Sequence, residues 1–529
     1  MAADSEPTST VRASRTAPAD RGGAASGGEY LPRLPGIAVL VGVFLAILMG
    51  GMDALVVNTA LPDIGSSLHQ TTGLTFVVAV YLISSTVSIP IFSKLSDRYS
   101  RRNVFIAGLG VFIAGSVLAG LSQNLSELIA FRGVQGFGTG GFIPVGIAMV
   151  AVLFPPQNRA RLTGILSAAG GIAIVVGPIL GSFIVDITTW RWIFYVNLPF
   201  GLASIAVLLA ALGPLRPRER GHIDYVGAAL LSGWVSALMF PLVEVTEDGW
   251  TWLATPTLGI LTAAGVAFVA FVLWELREAD PLVPLRLLGR RALAAAGGIA
   301  FFNGIVLTSA LTFLSLFVGV VILHEGPSAA NDIRDLTYFF AVPMILGAAL
   351  GGQFLARWSY RAVIVPALAL SAATAFVLAT FSASTPLWTL SLGVVPTGGI
   401  ALPLIPMGFG LGVGLAGVLI VAQNEVSKDD VGATIGFVRF LQSLGGAVGL
   451  SLLTAYQEYV AGGADASPGR VVASYDAVFL ALAIAVVVSL GFALFLKGRV
   501  TPSRAATGST SAVLPQATSS SSGSAAEDR

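Results

Sequence analysis

The stretch Ile37-Ala-Val-Leu-Val-Gly-Val-Phe-Leu-Ala-Ile-Leu-Met-Gly-Gly-Met-Asp53-Ala-Leu-Val-Val-Asn58-Thr59 decides how the whole chain is read. As a helix it is long enough to cross the roughly 30 Å hydrocarbon core of a bilayer. One carboxylate, Asp53, interrupts it. A charge at that depth costs roughly 2.5–3.5 kcal/mol even on the gentlest insertion scales, so it marks a functional candidate. The simpler alternative is an acid satisfied by a neighbouring helix for structural reasons.

Apolar windows of about 20 residues recur near 75–93, 104–122, 128–153, 163–185, 190–212, 223–243, 256–274, 293–322, 336–355, 362–381, 399–423, 434–457 and 475–496. With 37–59 they make fourteen spans, and 389–404 is ambiguous. The residues are 55% hydrophobic and 11% charged, with a mean hydropathy of +0.84. Soluble domains carry about 25% charged residues, so the chain is expected to be an all-α integral membrane protein. Basic residues concentrate in cytoplasmic loops, which orients the spans. With the N-terminus inside, all but five of the 29 Lys and Arg residues fall in inner segments. The exceptions are Arg191, Arg334 and Arg470 in outer loops and Arg132 and Arg439 within spans. A missed or an extra helix would break that bias, so both termini are placed on the cytoplasmic side of a cell (inner) membrane.

The remaining inventory excludes more than it identifies. There is no cysteine, hence no disulfide, thiolate nucleophile or Cys-based metal site. The three histidines, His69, His222 and His324, fall in separate loops. No cofactor, metal or enzymatic activity is expected, and no basic stripe suits nucleic acid. Residues 1–35 and 498–529 are rich in Ala, Ser and Gly and read as disordered cytoplasmic tails. The first of them lacks the apolar core of a secretory signal.

The chain also repeats itself. Ser93-Lys-Leu-Ser-Asp97-Arg98-Tyr-Ser100-Arg101-Arg102 follows span 2, and Gly352-Gln-Phe-Leu-Ala-Arg357-Trp-Ser359-Tyr-Arg361 follows span 10. In both, a small residue is followed by Arg at +5, Ser at +7 and Arg at +9. Internal repeats of this kind mark two related bundles. Fourteen transmembrane helices then divide into two pseudo-symmetric six-helix bundles, 36–212 and 292–497, plus two linker helices within 213–291.

ATP-driven transport needs a Gly-rich phosphate loop ending in Gly-Lys-Ser/Thr. The three lysines, Lys94, Lys428 and Lys497, are followed by Leu, Asp and Gly. No filter loop or charged ring suggests a channel, which leaves transport driven by an ion gradient. In span 4, Arg132, Gln135 and Thr139 share one helical face. Arg132 needs an anionic or carbonyl partner, and Asp53 is the nearest intramembrane candidate by type. A bond to backbone carbonyls is the alternative for Arg132, and helix–helix contact is the alternative for Gln135 and Thr139. Asn303 and Arg439 are further polar residues in spans, each suited to packing or to a cavity contact. In span 5, Gly177-Pro178-Ile-Leu-Gly181 combines close-packing glycines with a helix-kinking proline.

Taken together, these residues resemble the major facilitator superfamily, in particular its fourteen-helix drug:proton antiporter branch. Met52-Asp53-Ala-Leu-Val-Val-Asn58-Thr-Ala-Leu-Pro62 resembles the branch's first helix, and Ser93–Arg102 the superfamily's cytoplasmic signature. Arg132-Gly-Val-Gln135-Gly136-Phe-Gly138 and Gly177-Pro178-x-x-Gly181 resemble its helix-4 pattern and its helix-5 exporter motif. Trp190-Arg191-Trp192-Ile-Phe-Tyr-Val-Asn197-Leu-Pro199-Phe-Gly201 is similar to the helix-6 hallmark. Gln423-Asn-Glu, Gly432 and Gly445-Gly446-x-x-Gly449 are similar to the helix 12–13 region. The resemblance implies that Asp53 couples proton and substrate with Arg132 as its modulator. Asn58, Gln135, Thr139 and Asn303 become cavity candidates, and Asp97, Arg98, Arg101 and Arg102 an inner gate. Its implied activity is antiport: export of hydrophobic or cationic amphipathic compounds by alternating access, as a monomer in the lipid bilayer, with protons as the counter-substrate.

Two departures from the family pattern stand out. Ser93 and Ser100 replace glycines of the cytoplasmic signature. Span 10 lacks the acid that accompanies divalent-cation export, so neutral or monocationic substrates are expected. The segment 386–404 alternates around Thr397-Gly398-Gly399, which suits a short external β-hairpin; an extended helix end is the alternative. Relatives that move lipids are elaborated at this place, which keeps export of a lipid or lipid-linked metabolite open. Uptake by symport and a non-transporting receptor are the remaining readings, disfavoured by Gly177-Pro178 and by an Asp53–Arg132 pair respectively.

Overall fold

In a computed structural model, the residues described are 33–70, 73–213, 223–247, 250–317, 329–380, 390–391, 396–397, 401–427, 430–462 and 467–498. Most of both tails lies outside them. The helices are α1 (Arg33–Leu68), α2 (Thr75–Arg98), α3 (Arg101–Leu121), α4 (Leu125–Leu153), α5 (Pro156–Ile187), α6 (Trp192–Tyr195) and α7 (Asn197–Ala211). They continue as α8 (Tyr225–Glu247), α9 (Thr255–Arg277), α10 (Arg291–Leu316), α11 (Ala329–Leu355), α12 (Tyr360–Leu378), α13 (Ala401–Asn424), α14 (Val431–Ala461) and α15 (Pro468–Ala493). Among the described residues, fourteen spans are long and apolar enough to cross a membrane, with α6 and α7 forming one of them. Helix ends follow local chemistry. Asn124 accepts the Glu127 N–H at 2.9 Å to cap α4, and the Glu127 carboxylate accepts the Gln123 N–H at 2.8 Å.

An even number of spans puts the start of α1 and the end of α15 on one face, called here the terminal face. The core is distributed unevenly about it. One large apolar cluster runs through both halves of the chain, including Val39, Phe105 and Val145 with Ile364, Leu419 and Ile435. Towards the opposite face the halves have separate clusters. One contains Met52, Val56, Leu128 and Trp190, and the other Phe313, Phe340, Leu411 and Phe479. The two bundles are thus joined near the terminal face and have separate cores beyond it.

The linker helices do different things. Trp234 of α8 packs edge-on against Phe440 of α14 at 6.1 Å, in a cluster that also contains Val87 of α2. α8 therefore covers the α2–α14 seam. α9 is mostly exposed, which suits a lipid-facing helix. Its last turn nevertheless buries Glu275, whose carboxylate accepts the Val283 N–H at 3.2 Å. Asp280, just beyond, pairs with Lys94 of α2.

Strands β1 (Leu390–Ser391) and β2 (Pro396–Thr397) pair antiparallel, Leu390 opposite Thr397 and Ser391 opposite Pro396. A hairpin was expected in this segment, but its position differs. Thr397, read as turn, is in β2, and Ala401–Leu404, read as the second arm, begins α13. Pro403 is compatible with that, because the first turn of a helix needs no proline N–H.

Candidate functional site

Asp53 and Arg132 meet. Arg132 Nη1 donates to Asp53 Oδ2 at 2.6 Å, and both side chains are fully buried. The other two ion pairs among the described residues, Lys94–Asp280 and Asp97–Arg101, keep partial exposure. Asp53 Oδ1 accepts from Gln135 Nε2 at 2.8 Å and from Asn197 Nδ2 at 2.7 Å. Ser116 Oγ accepts from both amides, at 3.1 and 3.0 Å, and donates to Phe194 O at 2.8 Å. Arg132 is further held by Nη1 to Gln135 Oε1 at 2.7 Å and Nε to Val77 O at 3.2 Å. Its guanidinium carbon lies 4.0 Å from the centre of the Tyr81 ring, so the buried Nη2, which has no hydrogen-bond acceptor, faces a π surface. Thr139 Oγ1 donates to Tyr81 OH at 3.0 Å.

Glycines set these distances. A Cβ on Gly136 would overlap Tyr81 O of α2, and one on Gly138 would overlap Phe112 N of α3. Both helices therefore approach α4 closely enough to fix Arg132 and Gln135 against α1. Gly177 lies against Leu55, and a Cβ on Gly181 would overlap Thr59 Oγ1, so the helix-5 motif packs along α1 beside Asp53.

Every contact to the Asp53 carboxylate arrives as a donor: one guanidinium N–H and two amide N–H groups. That arrangement suits an acceptor-only, ionised carboxylate. A proton on Asp53 would face donors on all sides, so at least one bond must break to take it up. The site can couple a proton to the relative positions of α1, α4 and α7.

The remaining sequence candidates divide. Asn58 is exposed and outside the cluster. Asn303 is buried within the second bundle, where its Oδ1 accepts from Ser489 Oγ of α15 at 3.1 Å and its Nδ2 faces Gly414. Neither joins Asp53. Asp97 accepts Arg101 Nη2 at 2.5 Å, Gly432 N–H at 3.1 Å and Ala433 N–H at 2.6 Å. It thereby caps the first turn of α14 from the other bundle. Arg102 Nη1 donates to Leu212 O at 2.5 Å, while the Arg98 guanidinium lies 5.7 Å from the centre of the Tyr99 ring. The two serines at glycine positions fit sterically, but both hydroxyls are buried without a hydrogen-bond partner. A Cβ on Gly436 would overlap Ser93 Oγ, so the glycine has moved to the facing helix. Ser100 is likewise buried at the start of α3.

Further pairs bridge the two bundles along the seam. Thr163 of α5 and Gln423 of α13 lie 2.9–3.1 Å apart, and Thr86 Oγ1 of α2 lies 2.6 Å from Ser443 Oγ of α14. Residue types alone did not single out Asn197, Ser116 and Tyr81. Asn197 stood inside the quoted helix-6 pattern, an amide in an apolar window, and that was the available signal.

Fourteen apolar spans built as two joined helical bundles define a multi-pass integral membrane protein. The family model of the Major Facilitator Superfamily matches residues 43–450, and the chain belongs to that family of transporters. It is 30% identical over 419 residues to the multidrug transporter protein MdtP of Bacillus subtilis (strain 168), covering 79% of this chain and 74% of that one. It is 32% identical over 462 residues to the probable actinorhodin transporter of Streptomyces coelicolor, with 82% and 74% covered. The solved structure of the proton:xylose symporter XylE bound to 6-bromo-6-deoxy-D-glucose superposes with a TM-score of 0.57 at 14% identity, covering 85% and 94%. That likeness concerns the fold.

Proposed function

We propose that the chain is a proton-coupled antiporter that exports hydrophobic or amphipathic small molecules by alternating access. The observation that carries this reading is Asp53, buried and held by Arg132, Gln135 and Asn197. A charge buried at this depth is hard to motivate in a purely structural role. The names of the similar multidrug and actinorhodin transporters support the export direction. In this reading the division into bundles 36–212 and 292–497 with linker 213–291 holds, and the protein works as a monomer in a bacterial-type inner membrane.

The positive-inside bias makes the terminal face cytoplasmic. The conformer described is then closed towards the cytoplasm, through Asp97, Ser93–Gly436 and Thr163–Gln423. A proton arriving from outside neutralises Asp53 and removes its ion pair with Arg132. Arg132 keeps Gln135 Oε1, Val77 O and the Tyr81 and Phe194 rings as partners but no carboxylate, an arrangement that favours repacking of α1 against α4. Substrate then enters from the cytoplasm, and proton release restores the cluster. Asp97 and Arg101 act at the inner gate, because Asp97 must leave the start of α14 for that side to open.

The test is a substrate panel in an efflux-deficient host, comparing the wild type with Asp53→Asn at equal expression. The expected result is loss of resistance and of dye efflux in the variant. Undiminished efflux would remove Asp53 from the mechanism.

A further inference from the structure

Arg439 is a charge within a membrane span that this mechanism does not use. It lies eight residues into the 31-residue α14, about 12 Å along the helix and within the membrane span. Nη1 donates to Gln442 Oε1 at 3.0 Å, Nε is buried without an acceptor, and no carboxylate of the described residues lies within ion-pair distance. Asp97, the acid in the same seam, is already taken by Arg101 and two backbone N–H groups. Arg132, the other intramembrane arginine, has a carboxylate partner. Guanidinium stays charged at any biological pH, and an unpaired buried charge is strongly unfavourable.

Its direction follows from the neighbours of α14. Gly432, Gly436 and Ser443 face α2. Gly445, Gly446 and Gly449 face α10. Phe437, Phe440 and Leu444 face the linker helix α8. At 100° per residue, position 439 falls between the α2 stripe and Gly446 of the α10 stripe, away from the α8 face. The residue keeps partial exposure, while its Nε is buried.

We propose that Arg439 is the subsite for an acidic oxygen group, a carboxylate or an ionised phenol, on the exported molecule. Nη1 is engaged by Gln442 while Nε has no acceptor, and guanidinium N–H groups left without a partner are suited to an oxyanion. This reverses the expectation of neutral or monocationic substrates: the preferred cargo is an acidic amphiphile. The inference rests on the export reading for the fate of the ligand, and its binding component stands without it.

The experiment uses the full-length protein in phosphatidylcholine nanodiscs, titrated with pyrenebutyric acid and its primary amide, which differ by one charge. Wild type binds the acid about tenfold more tightly than the amide. Arg439→Gln loses that preference through weaker binding of the acid alone, and Arg439→Lys keeps part of it. Equal affinities in the wild type, an unchanged preference in Arg439→Gln, or equal loss of both ligands overturns the proposal. Repeating the titration in phosphatidylglycerol discs separates cargo from lipid. A preference that disappears there in the wild type assigns the arginine to a lipid headgroup and overturns the cargo assignment; one that persists supports it. Efflux of the same pair is measured in parallel. If neither compound is exported by the wild type while Arg439 governs binding, the export reading fails and the anion subsite stands.

Discussion

Asp53 is held by side chains from two other helices, and each of its contacts can be removed alone. Asn197→Ala deletes one amide donor to a buried carboxylate. Hydrogen bonds to charged groups contribute about 1.5–3 kcal/mol, so the variant should unfold at lower denaturant or temperature than the wild type while still reaching the membrane. An unchanged unfolding midpoint would show that Asn197 does not hold Asp53. Arg132→Leu is expected to be worse, by about 3–5 kcal/mol, because it strands a buried carboxylate; the double change Asp53→Asn with Arg132→Leu should recover part of the loss. The Asp53–Arg132 pair was legible in the sequence because ionised residues inside apolar windows are few and need each other. Asn197, Ser116 and Tyr81 were not assigned, since an amide, a hydroxyl and an aromatic ring occur as ordinary packing in membrane helices. Asn303 shows the converse: the same residue type in a span turned out to bind Ser489 within its own bundle.

Among the helices, the contact on which the proposed closure rests is that between α2 and α14. Ser93 occupies the space that Gly436 leaves, and Asp97 caps the start of α14. Gly436→Ala puts a methyl group into the Ser93 hydroxyl, and overpacking of this kind costs about 1–3 kcal/mol. Transport should fall, and Ser93→Gly in the same chain should restore it. Failure of that rescue would mean that the two positions do not share one contact. The spans were readable from hydropathy and their orientation from arginine placement, because both follow from the bilayer as solvent. The hairpin was placed wrongly because alternation and glycine signal a turn without fixing its register. Composition does not tell the placements of α8 and α9 apart, because apolar helices that face lipid and those that face protein have the same composition.

Over the described residues, one shared core near the terminal face and two separate cores beyond it correspond, in the proposed mechanism, to one state of the cycle. The absence of native cysteine makes that state testable. Cysteines introduced together at Thr86 and Ser443, whose hydroxyls lie 2.6 Å apart, should cross-link under mild oxidation and stop transport, and reductant should release it. Transport that continues through the cross-link would contradict a seam that has to open. The central claim remains that a proton crosses by way of Asp53. It is tested most directly in proteoliposomes loaded with a pH-sensitive dye, with an exported compound supplied on one side. The wild type should move protons in the direction opposite to the compound, and Asp53→Asn should bind the compound without moving protons. Equal proton flux in both proteins would contradict the account.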